Sequence, residues 1–145
     1  MQSFQFNKII VVESINLDPS LPVYRIGSSL KSEIDTTIAG LKPSIPTLTC
    51  ELIEIHSMAD WRDFIDNLHN DCTQGVKPIL HFICHGNQNG MALDGVDGGI
   101  LWADFMKNME KVNVATSNNL FVSLCVCCGF YSLLHLLDDL QFQTF

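Results

Sequence analysis

Basic residues are scarce in this chain. Eight Lys and Arg stand against 16 Asp and Glu, for a formal net charge of −8, and no basic run occurs. The electrostatic footprint of a nucleic-acid binder is therefore missing, and an acidic surface at most favours cationic partners. No GxGxxG and no Walker A sequence is present, so a phosphate-cradling loop has no support. Internal repeats, linkers and low-complexity tracts are also lacking, which predicts one domain over residues 1–145, long enough to bury a core. Charged residues make up only 17% against 47% apolar, a folded rather than a disordered composition. Met1-Gln-Ser-Phe-Gln-Phe-Asn-Lys8 has neither the basic start nor the apolar run of a signal peptide. The six cysteines are accordingly expected as reduced thiols of a cytoplasmic protein, not as a disulfide framework.

What is present is an alternation of strand-like and helix-like segments. Residues 8–13 form a short, uniformly apolar run, the mark of a central parallel strand. After a turn-rich loop at 16–22, Ile26, Leu30, Ile34 and Ile38 recur every four residues as a helical stripe, closed by Gly40 and Pro43. Residues 48–56 read as a second strand nearer an edge, and Ser57 with Asp60 reads as a capping pair. That pair opens a helix burying Trp61, Phe64, Ile65, Leu68 and Cys72, with Gly75 at its close. A third strand runs from Pro78 to His85-Gly86. Turn chemistry at 87–90 and 94–99 flanks a short strand at 91–93. A helix with Leu101, Phe105, Met109 and Val112 on one face precedes a fourth strand, and residues 131–140 should be helical. The order predicts an α/β fold, a three-layer α/β/α sandwich on a mainly parallel sheet. Residues 120–137 carry no charge and are long enough to span a membrane, but Ser123, Gly129 and His135 interrupt them, and a strand turning into a core helix is expected, with no membrane span.

Two strand ends carry the chemistry. One reads Leu80-His-Phe-Ile-Cys-His85-Gly86, the other Leu120-Phe-Val-Ser-Leu-Cys-Val-Cys127-Cys128-Gly129. If these strands are parallel neighbours, a histidine and a cysteine meet at the carboxyl edge, where open α/β sheets place their sites. His85 suits proton transfer near neutrality. Cys127, where strand turns into helix, would meet amide dipoles that favour a thiolate. Gly86 lets its N–H approach a substrate oxygen, and the N–H of Cys127 would help it there. Cys125 lies on the same face two residues deeper and is a rival nucleophile. A metal site from Cys125, Cys127 and Cys128 with His81 and His85, or a thiol-redox site, are further alternatives, although adjacent thiols on a strand point to opposite faces. His81 reads as a hydrogen-bonded strand histidine and His56 as structural. Asp94 and Asp97, just past the histidine, are candidates for substrate selection.

A strand ending in His-Gly followed by one ending in Cys-x-Gly resembles the caspase-like cysteine peptidases of clan CD, including the bacterial CHAT-type domains. The resemblance implies hydrolysis of peptide bonds by a regulated cysteine endopeptidase. Cys127 would be the nucleophile, His85 its proton carrier, and the N–H groups of Gly86 and Cys127 the oxyanion hole, with a protein or peptide substrate and no metal or organic cofactor. Only 18 residues follow Cys127, fewer than such domains need for their last strands. The fold is thus expected to be shortened at its C-terminus. An open sheet edge would then pair with a regulatory partner or a second copy, and the alternative function is an inactive interaction module of the same fold.

Overall fold

The structure is a computed structural model and describes residues 5–15, 26–41, 47–94, 97–126 and 129. Outside these lie the loop at 16–22, Pro43, Gly95, Cys127, Cys128 and the helix expected at 131–140. The elements in order are β1 (Lys8–Ser14), α1 (Ile26–Leu41), β2 (Thr49–Glu54), α2 (Met58–Thr73), β3 (Pro78–Gly86), β4 (Gly90–Ala92), β5 (Ile100–Leu101), α3 (Trp102–Ala115) and β6 (Phe121–Val126).

They form a mixed α/β fold on a six-stranded open sheet. β2, β1, β3 and β6 lie side by side and parallel, and β4 and β5 extend β3 in antiparallel fashion. β1 and β3 are the central strands, flanked on both sides, so their sequences are apolar almost without alternation. In register, Val12 lies beside Phe82 and Phe82 beside Leu124.

One face of the sheet, carrying Ile10, Val12, Leu80, Phe82 and Cys84, packs under α2 and α3. Phe82 is its centre, with ring centroids 5.3 Å from Phe105, 6.2 Å from Trp61 and 6.4 Å from Phe64. Such offset and edge-on pairs add specificity to what area burial already contributes. α2 buries the five residues its periodicity marks out, and the Ser57 side chain caps it by accepting the N–H of Asp60 at 3.1 Å. α1 lies on the opposite face, against β1 and β2. Its attachment is polar: the buried Glu13 carboxylate accepts the N–H of Gly27 at 2.8 Å, in the first turn of the helix. A carboxylate there satisfies an otherwise unpaired donor and complements the helix dipole.

Two differences from the sequence reading have simple causes. Leu101, expected on the helix face, belongs to β5 and is 54% exposed, while Trp102 opens α3 fully buried. The two-residue β5 was hidden by a glycine-rich approach. Gly99 stands at φ 62°, and a Cβ on Gly90 would fall 2.0 Å from the carbonyl oxygen of Ile100, so the seam between β4 and β5 needs glycine. On α1 only Gly27 and Ile38 are buried, and Ile26 of the predicted stripe is 50% exposed. The uncharged stretch beginning at residue 120 enters the fold as strand β6, and no helix among the described residues is long and apolar enough to cross a membrane.

Candidate active site

Because β2, β1, β3 and β6 run parallel, their carboxyl ends share one edge. Ser14 ends β1 in register with Cys84, and Cys84 is in register with Val126, the last residue of β6. His85 and Cys127 are each the next residue in their strands' sequences. Cys127 lies outside the described residues, but one peptide bond, about 3.8 Å between Cα atoms, ties it to Val126. The pairing of β3 with β6 is thus the one on which a His85–Cys127 site depends.

The His85 side chain is exposed, and no hydrogen bond to its ring is found among the described residues. Its backbone is well held. His85 pairs with Ala92 and Gly86 with Met91 in the β4 ladder, and the Asn87 N–H donates to Gly90 O at 3.0 Å. Antiparallel ladders alternate direction residue by residue, so Gly86 turns its N–H away from β4. Beyond β4, the Asp94 N–H donates to Ser14 Oγ at 2.8 Å, which places that chain over the end of β1. β1 and β6 border opposite edges of β3, so the Gly86 N–H faces the β6 side. The hairpin turn is fastened from below, since the buried Trp102 donates its Nε1–H to Asn87 O at 3.0 Å and its backbone N–H to Asn89 O at 3.0 Å.

The four described cysteines are all free. Cys84 is buried beside the edge, and burial, with a smaller push from Cys125, raises its thiol to about 12. Burial likewise raises Cys72 to about 11, and Cys50 lies above its ordinary value for the same reason. These are packing thiols, protonated at neutral pH. Cys125 is exposed and registers with Ile83 on the sheet face opposite Cys84. His81 shares the Cys125 face. Its Nδ1 lies 2.9 Å from Ser123 Oγ, and burial pushes its pKa down, which favours a neutral ring. No group of three or more metal-ligating side chains gathers among the described residues.

A second cluster on the same edge escaped the sequence reading. Ser14 Oγ, buried, donates to Ile55 O at 2.7 Å while accepting from the Asp94 N–H. The hydroxyl thereby joins the ends of β1 and β2 to the loop after β4. Asp94 Oδ2 then lies 3.2 Å from His56 Nδ1, and Asp60 Oδ2 accepts the His56 backbone N–H at 3.0 Å. His56 and Asp94 form an imidazole–carboxylate pair rather than two unrelated loop residues, and Asp97 is exposed apart from it. A strand end and a turn aspartate were the available signals. Their separation of 38 residues gave no hint that they touch.

A scan against protein-family models finds no match, and a search of curated proteins finds none.

Proposed function

We propose that the chain is a caspase-like cysteine endopeptidase domain acting through His85 and Cys127. The observation that carries this reading is the parallel pairing of β3 and β6 in the register Cys84 to Val126. It is the arrangement that lets consecutive residues of the two strands deliver a histidine and a cysteine to one edge. The direction of the Gly86 N–H, toward the β6 side, supports its part in an oxyanion hole.

The reaction follows from thiol chemistry. The Cys127 thiol passes its proton to His85 and its sulfur attacks the peptide carbonyl carbon, forming a C–S bond and pushing charge onto the carbonyl oxygen, where the N–H groups of Gly86 and Cys127 stabilise it. Collapse breaks the C–N bond, and the leaving amine takes a proton from His85. Water, losing a proton to His85, then hydrolyses the thioester. The C–S bond breaks and His85 returns that proton to the departing sulfur, which releases the acid and restores the thiol.

The exposed His85 ring, without an orienting hydrogen bond among the described residues, favours a second reading, a non-catalytic interaction module of the same fold. One experiment separates the two: alkylation by iodoacetamide across pH 5–9, with the modified cysteine located by mass spectrometry, in the parent chain and in His85→Ala. A peptidase gives fast modification of Cys127 below pH 7, slowed in the variant. Uniformly slow modification of all six thiols sinks the peptidase reading.

A further inference from the structure

β2 is an edge strand, pairing with β1 alone among the described residues. Its backbone phase can be read from two bonds. The Thr49 N–H donates to Asn7 O and the Ile55 N–H to Glu13 O, so odd-numbered residues of β2 face β1. Cys50, Leu52 and Glu54 therefore turn their N–H and C=O groups outward, a template for one more strand.

Along this edge runs a groove of about 320 Å³ between β2 and α2. Its floor is apolar, with Ile53, Ile55, Phe64 and Leu68. Its rim is acidic: Glu51, Glu54, Asp60, Asp63 and Asp71 face a single cation, Lys8. Lys8 is engaged with Glu51 at 2.7 Å and Asp71 at 3.8 Å, and Asp60 is occupied by the His56 N–H. Glu54 and Asp63 are exposed and make no ion pair among the described residues.

We propose that this edge docks an extended cationic segment of another protein, which adds as a strand to β2 and sets two basic side chains four residues apart over the acidic rim. The spacing follows from geometry. Asp63 and Asp71 both line the groove, Asp71 being only a distant partner of Lys8 at 3.8 Å, and eight residues of α-helix separate them by about 12 Å. Four residues of strand span about 13 Å, so side chains at i and i+4 meet the two carboxylates, while the one at i+2 lies over the apolar floor. The occupant is neither this chain nor a second copy of it. Its one basic pair at that spacing, Lys107 and Lys111, lies within helix α3 and is not extended, and two copies would each carry −8. Main-chain pairing supplies affinity and the alternate side chains supply selection, as in other strand additions. The proposal concerns the β2 edge and is independent of the His85–Cys127 reading.

The test uses a fluorescein-labelled peptide, Thr-Lys-Thr-Val-Thr-Lys-Thr, read by anisotropy against the full chain. Saturable binding is expected, weakened at least tenfold by Asp63→Asn with Asp71→Asn, and abolished when both peptide lysines become glutamate. Two further probes are N-methylated at alternate residues, one in each phase. Only one phase should lose binding, by at least tenfold, because a strand turns every second N–H toward its neighbour. Equal binding by both phases would mean diffuse charge attraction and would overturn strand addition. No binding at millimolar peptide would overturn the proposal entirely.

Discussion

Ser14→Ala is the sharpest test of how the carboxyl edge is assembled. The side chain is 3% exposed, and its hydroxyl serves two partners from different elements, Ile55 O at 2.7 Å and the Asp94 N–H at 2.8 Å. The two losses differ in kind. Ile55 is 1% exposed, so its carbonyl would be left buried without this partner, at a cost of about 1–3 kcal/mol. Asp94 is only partly buried, and water can replace the lost acceptor there, adding at most about 1 kcal/mol. The sum is about 1–4 kcal/mol. With a urea slope of about 2 kcal/mol per molar for a chain of this size, the unfolding midpoint should fall by about 0.5–2 M at unchanged slope. Ser29→Ala, on an exposed turn of α1, is the control and should leave the midpoint where it is. A fall below about 0.3 M in Ser14→Ala would refute the idea that this hydroxyl joins β1, β2 and the Asp94 loop.

Two more outcomes follow from buried ionisable groups. Glu13→Gln keeps the shape of the side chain but removes the charge facing the first turn of α1, and should cost about 0.5–2 kcal/mol by urea titration; an unchanged midpoint would show that the contact with Gly27 contributes nothing. Alkaline stability should depend on Cys72 and Cys84, whose thiols rise from the ordinary 9.0 to about 11 and about 12 on folding. The folded chain holds these protons more tightly than the unfolded one. Their stabilisation is therefore full below pH 9 and is lost as pH climbs from 9 through the folded values. The urea midpoint should drop more between pH 8 and pH 10 in the parent chain than in Cys72→Ala/Cys84→Ala, and parallel drops would contradict the burial argument.

How far the sequence speaks depends on the range of the force concerned. The apolar runs of β1 and β3 and the 3.6-residue stripe of α2 report burial directly, so those elements, the parallel alternation and the His85-Gly86 strand end were legible. The hydroxyl of Ser14 was not, because its partners lie 41 and 80 residues away and hydroxyls carry no periodic signal. The same holds for His56 and Asp94. Each was visible as a polar residue at a turn, but only the pairing of β1 with both β2 and β3 and the return of the chain after β4 bring them to 3.2 Å. Leu101 shows the complementary failure: an apolar residue one place before a helix fits the stripe, yet the close approach of Gly90 to Ile100 claims the strand first. The most informative part of this edge is therefore the part that sequence could not supply. The Ser14 hydroxyl, through the backbones of Ile55 and Asp94, and the His56–Asp94 side-chain pair tie the ends of β1 and β2 to the loop after β4, beside the strand that presents His85. That clamp makes the Ser14 variant a probe of site architecture as well as of stability.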